Sequence, residues 1–195
     1  MRTRYARNNY AFIDGVNLHM TYEYLKWKVD YNKLLQWLTR THNVTTAYYF
    51  IGYIKKYHTI YDGLKSCGYS LKHRQPTTRP PEVATCPNCN HAFTIPNSIT
   101  CPSCNHTFVI KKSNVKCDCD ADIALQVMDD INTYDKAIII SSDGDFDNLV
   151  KKLIQVNKLE LVLAPCKDGC SSLLIRAARG RIDYLDEHRS EVEKK

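Results

Sequence analysis

No stretch of this 195-residue chain approaches the roughly 20 consecutive apolar residues that a helix needs to cross a bilayer, so no membrane span is expected. The amino terminus, Met1-Arg2-Thr3-Arg4-Tyr5-Ala6-Arg7, is basic but meets a strand pattern at Tyr10 with neither a long apolar stretch nor a cleavage site, which argues against secretion. The cysteines lack the even count of a disulfide framework: there are nine, and four of them stand in two CxxC pairs. Metal binding explains that usage better, and the cytosol is the expected location. A strong excess of one charge is also missing. Lys and Arg outnumber Asp and Glu by 27 to 21, a net +6 that favours a polyanionic partner without demanding one. What remains is a chain with 44% hydrophobic residues, long enough for one α/β domain and a small appendage.

Tyr10-Ala11-Phe12-Ile13 reads as a buried strand that ends at the turn signal Asp14-Gly15. Asp30 caps an expected helix whose apolar stripe is Leu34, Leu35, Trp37 and Leu38. Residues 44–53 form a second strand, a helix from about His58 stops at Gly68, and residues 69–72 make a short third strand. Residues 75–81, Gln-Pro-Thr-Thr-Arg-Pro-Pro, continue neither helix nor central strand and mark the border of an insertion. Beyond it come a helix over 119–131, an apolar strand over 137–140, a helix over 146–156, a strand over 159–163 and a helix over 171–179. Strands that alternate with helices and lack polar alternation predict a mainly parallel sheet covered on both faces. The expected domains are 8–75 with 115–186, an insert over 82–112, and a charged tail over 187–195.

Ligands of open parallel sheets gather beyond the carboxyl ends of the strands. Two apolar strands here end in acid: the first at Asp14, with Asn17 three residues on, and the strand 137–140 through Ser141-Ser142 into Asp143-Gly144-Asp145. Each aspartate alone reads equally well as a cap or a turn. Together at one edge they repel each other unless a cation compensates them, which points to Mg²⁺ or Mn²⁺. Helical phase sorts the acids between 118 and 130. Ile123, Ala124, Val127, Met128 and Ile131 define a buried face, and Asp120 projects from that face one turn earlier. Asp120 therefore joins the cluster, Asp118 is a candidate cap, and Asp122, Asp129 and Asp130 belong to a solvated face.

Phe12-Ile13-Asp14-Gly15-Val16-Asn17-Leu18, Lys116-Cys117-Asp118-Cys119-Asp120 and Ser141-Ser142-Asp143-Gly144-Asp145-Phe146 resemble, in order, three motifs of the NYN domain family. The similarity spans about residues 10–75 and 115–185. It implies a PIN-like three-layer fold and a metal-dependent, ribonuclease-type site in which Asp14, Asp120, Asp143 and Asp145 are the acidic set and Asn17 a polar accessory. Ser142 and Cys117 stand where the family usually has glycine, which puts the shape of those loops in question. Lys116, Lys167, Arg176, Arg179 and Arg181 are candidate phosphate contacts, and Ser171 and Ser172 are phosphate contacts or helix caps.

Cys86-Pro87-Asn88-Cys89-Asn90-His91 and Cys101-Pro102-Ser103-Cys104-Asn105-His106 are near-copies. Two such knuckles supply the four thiolates of a closed, structural Zn²⁺ site at Cys86, Cys89, Cys101 and Cys104. A ribbon this small folds around its metal, and its role stays open between gripping nucleic acid, docking a protein partner or a second copy of the chain, and bracing a loop. Cys67, Cys117, Cys119, Cys166 and Cys170 read as buried thiols. The expectation is hydrolysis of phosphodiesters in RNA. A rival is a non-catalytic nucleic-acid-binding module, against which the retention of all four acids argues. A phosphatase with Asp14 as nucleophile is weaker, because no second acid follows two residues later.

Overall fold

The computed structural model describes residues 7–78, 83–85, 91–94, 98–100, 103–109, 115–116 and 118–194. Two compact units emerge, Met1–Gln75 with Asp118–Lys195, and Pro76–Cys117.

The first unit begins with β1 (Asn9–Asp14) and runs directly into α1 (Gly15–Leu25). The Asp14-Gly15 turn expected from sequence is thus a strand passing straight into a helix. Then come α2 (Tyr31–His42), β2 (Val44–Gly52), α3 (His58–Cys67) and β3 (Ser70–Arg74). Asp30 caps α2 as its position predicts, accepting from the backbone N–H groups of Asn32 and Lys33. Gly68, at φ 104°, ends α3 in the left-handed conformation that glycine adopts without steric cost.

Among its described residues the second unit holds three antiparallel pairs: β4 (Thr77–Thr78), β5 (Val83–Thr85), β6 (Ala92–Thr94), β7 (Ser98–Thr100), β8 (Thr107–Val109) and β9 (Val115–Lys116) pair as β4–β9, β5–β6 and β7–β8. Because Lys116 pairs with Thr77, residues 115–117 belong to the insert and not to the sheet domain, which moves the expected boundary at 115 by three residues. The sequence repeat is also a structural one. Thr85 faces Ala92 and Thr100 faces Thr107, so each hairpin closes across a six-residue connection bearing one CxxC. Cys86, Cys89 and Cys101 lie outside the described residues, and Cys104 is exposed.

The chain returns to the first unit with α4 (Asp120–Asp129), β10 (Ala137–Ile140), α5 (Asp147–Gln155), β11 (Leu159–Ala164), α6 (Ser172–Ala178), β12 (Ile182–Tyr184) and α7 (Arg189–Val192). Its six strands form one parallel sheet in the order β12-β11-β10-β1-β2-β3. Successive side chains of β1 go to opposite faces. Ala11 and Ile13 pack with Leu18, Leu34, Leu64 and Val192. Phe12 packs with Ile123, Val150 and Leu174 on the other side. The result is three layers, with α1, α2, α3 and α7 on one face and α4, α5 and α6 on the other. From β1 the chain winds outward to β3, then starts again at β10 beside β1, so the order reverses between these two strands. That reversal opens a crevice at their carboxyl ends.

The expected charged tail over 187–195 is instead part of the fold. Val192 is fully buried, the Asp30 N–H donates to its carbonyl at 2.8 Å, and Trp37 Nε1 donates to Glu191 at 3.0 Å. One apolar residue among charges leaves no readable pattern, yet it closes the layer over α2.

Candidate metal centre

β1 and β10 run side by side, with Ile13 level with Ile140, so the chain leaves both strands at the same point. Asp14, the last residue of β1, is only 6% exposed. Its Oδ1 accepts from the Asn17 N–H at 3.0 Å, a bond available because α1 starts at once, and its Oδ2 accepts from Ser141 Oγ at 3.2 Å. Ser141 Oγ in turn accepts from the Asp143 N–H at 3.1 Å. One buried hydroxyl therefore joins the end of β1 to the loop after β10. Asn17 adds a second tie, its Oδ1 accepting from both the N–H and the hydroxyl of Ser142, at 3.0 and 2.9 Å.

The loop then folds into the short helical turn Gly144–Phe146, capped by Asp143, whose Oδ1 accepts from the Asp145 N–H at 3.0 Å. Buried Phe146 anchors the turn. Ser171 caps α6, and its N–H donates to the Ser142 carbonyl at 3.0 Å. A Cβ on Gly144 would lie 2.5 Å from Ser171 Oγ, so a side chain there would push aside the hydroxyl that caps α6. Ser142 has no positive φ and donates its hydroxyl to Asn17, so serine in place of the usual glycine carries no backbone strain. Cys117, the other departure, lies outside the described residues.

Asp120 opens α4, and oxygens of Asp120, Asp143 and Asp145 all lie within 4.8 Å of one another. Asp14 is outside that trio but close enough to repel it. Burial, hydrogen bonding to Asp118, and the negative charges of Asp118, Asp14 and Asp143 push the Asp120 carboxyl up to about 7. Burial likewise raises Asp14, against the lowering effect of its bonds from Asn17 and Ser141. Three converging carboxylates with a fourth behind them make an oxygen donor set short of positive charge, which fits a hard divalent cation.

The sign of the Asp120 shift makes a prediction. A carboxyl raised in the folded state stabilises the metal-free protein fully below the ordinary carboxylate range, and that contribution is lost as pH rises through about 7. A cation must displace the same proton. Mn²⁺ affinity measured by calorimetry should therefore climb up to about tenfold per pH unit below neutrality and level off above it. Affinity that is flat between about pH 5.5 and 8 would remove Asp120 from the ligand set.

The other sequence-derived candidates divide by position. Exposed Ser172 sits in the first turn of α6 beside the Asp143 loop, with Arg176 one turn further on. Arg179 ends α6, and Arg181 donates to the Leu159 carbonyl at the start of β11; both stand at the amino edge of the sheet, away from the acids. Lys167 faces Glu187 at 4.0 Å. The side chain of Lys116 is outside the described residues. Asp122 pairs with Arg74 at 2.9 Å and Asp129 is exposed, as a solvated face requires. Cys119 and Cys166 are buried; Cys67 and Cys170 are half-buried. Two contributors escaped sequence reasoning. Ser141 was visible only as part of a motif, and Asp118, read as a cap, also shares a hydrogen bond with Asp120; the alternation Asp118-x-Asp120 was its only signal.

No curated protein matches the chain. Among solved structures it is similar to a protein of unknown function from Vibrio parahaemolyticus RIMD 2210633, with 18% identity, a TM-score of 0.69 and full coverage of both chains, a likeness of fold. The NYN domain model matches residues 10–186, taking in both sides of the crevice with Asp14, Asp120, Asp143 and Asp145, and the chain accordingly belongs to the NYN domain family, a PIN-like nuclease family.

Proposed function

We propose that the chain is a metal-dependent nuclease that hydrolyses phosphodiester bonds in RNA. The observation that carries this reading is the convergence of Asp120, Asp143 and Asp145 within 4.8 Å at the point where the strand order reverses. These three carboxylates would hold Mg²⁺ or Mn²⁺. When bound, the cation would lower the pKa of a coordinated water and offset charge developing on the phosphate oxygens. The chain's own contribution is position. Asp143 is held through its backbone by Ser141, Asp145 by the cap of its turn, and Asp120 by the Asp118 carboxyl. Asp14 braces the floor, and Asn17 keeps the Ser142 backbone in register with α1. Ser172 and Arg176, on the helix that abuts this loop, are the phosphate contacts nearest the acids.

The test is incubation of the purified protein with labelled single-stranded RNA, structured RNA and DNA, in Mg²⁺, Mn²⁺ or EDTA. Cleavage of RNA in either metal and none in EDTA is the expected result. Cleavage indifferent to EDTA would overturn the proposal, and tight binding without cleavage would make the chain a binding module instead.

The insert carries a second metal in this reading, one Zn²⁺ on Cys86, Cys89, Cys101 and Cys104. The matched hairpins support it, since two equal six-residue connections each present a CxxC at the same place. Elemental analysis should find about one zinc per chain. Metal-free protein with an intact insert would refute the assignment.

A further inference from the structure

A cluster of carboxylates repels the polyanion it is meant to cut, so a nuclease needs positive charge and base contacts beside its acids. Arg179 and Arg181 stand at the far edge of the sheet and cannot supply them. The carboxyl end of β2 offers both. Asp14 is level with Phe50 of β2, the strand continues two residues further, about 7 Å, and the chain then enters Tyr53-Ile54-Lys55-Lys56-Tyr57-His58-Thr59-Ile60. Every residue here except Ile54 is exposed, including Tyr53 at 38% and Tyr57 at 40%. No acid occurs in the stretch, and among the described residues no ion pair engages Lys55 or Lys56.

This surface is also held in shape. Tyr61 is 3% exposed, donates its hydroxyl to the Gly52 carbonyl at 2.9 Å, and accepts from the Ile54 N–H at 2.9 Å, fixing the exit from β2. The Tyr53 ring stacks on Tyr61 at 5.8 Å and meets His73 edge-on at 5.5 Å. Lys56 Nζ lies 4.9 Å over the Tyr57 ring, within the helical turn Lys55–Tyr57. Rings interleaved with lysines, on a braced loop at the active edge, match what an unpaired nucleotide needs: a flat face for its base and a cation for its phosphate.

We propose that residues 53–60 form the platform on which single-stranded RNA lies as it approaches the acids, with Tyr53 and Tyr57 stacking on bases and Lys55 and Lys56 neutralising phosphates. The inference rests on the nuclease reading for its substrate, but it is tested by binding alone. Paired bases present no free face to a tyrosine, so the platform selects single strands over duplexes.

Anisotropy titrations in EDTA, with labelled single-stranded and duplex RNA, read the platform without cleavage. Tyr57→Ala should weaken single-strand binding roughly tenfold, leave the salt dependence unchanged and spare duplex binding, while Tyr57→Trp should restore affinity. Lys55→Ala with Lys56→Ala should lower the slope of log affinity against log salt by about 1.4, two phosphates' worth for a single strand. Thermal melting should match the parent in each case, since these side chains are exposed. Parent-like affinity and salt slope in all variants would overturn the platform even if the parent cleaves RNA. Loss of binding in a protein that never cleaves would uphold the platform and overturn the nuclease.

Discussion

Asp143→Asn is expected to lower metal-dependent RNA cleavage by more than about a hundredfold, because even partners that only orient a metal ligand cost roughly 10–100-fold when removed. Asparagine has the same shape, and its amide oxygen can still accept from the Asp145 N–H, so the turn after β10 should survive. What goes is one negative charge from a trio within 4.8 Å. Removing it relieves repulsion on Asp120 and Asp14, both of which Asp143 pushes upward. The metal-free variant should therefore melt no lower than the parent, while its Mn²⁺ affinity collapses. Opposite movement of stability and activity marks a residue kept for function at some cost to the fold. Residual cleavage within a few-fold of the parent would take Asp143 out of the reaction.

Gly15→Ala should be the most damaging small change near the site. A Cβ at position 15 would collide with the Tyr49 ring and lie 2.5 Å from the Phe50 carbonyl oxygen. The backbone of β2 cannot retreat, because Tyr49 and Phe50 are paired on one side to β1 and on the other to β3. Overpacking of this kind costs about 3 kcal/mol, the upper end of the usual range. In a chain of this size that lowers the melting temperature by about 6–12 °C. The strain falls on the residue after Asp14, so metal affinity should fall with it. A variant melting within about 2 °C of the parent would show that β1 and β2 have room to separate.

The same glycine shows where sequence reasoning reached and where it stopped. Asp-Gly after an apolar strand signals a turn, and nothing local reveals that the neighbouring strand's ring and carbonyl leave no room for a side chain. α1 was missed for that reason, and because its exposed Val16 and Met20 blur the apolar stripe. β12 was missed because it is three residues long with Asp183 at its centre. By contrast β1, β2, β10 and β11 were legible: β10 is wholly apolar and buried, and the others keep apolar, branched and aromatic residues dense despite Thr45 and Thr46 in β2 and Glu160 in β11. Asp120 could be picked from its neighbours because helical phase is a local property, and the structure brings it to Asp143 and Asp145. Ser141 could not, because its hydroxyl matters only through a contact with Asp14, 127 residues away.

That separation has a consequence for how the protein comes to life. Asp14 ends one half of the sheet, Asp143 and Asp145 follow the other, and the strands of the two halves pair through β1 and β10. Asp14 therefore has no acid opposite it until residues 120–145 have joined the fold. The strand pairing that assembles the acids joins residues 10–13 to residues 137–140, and contacts of such separation are intrinsically slow to form. Divalent-cation affinity should therefore be absent from any state in which β1 and β10 are unpaired.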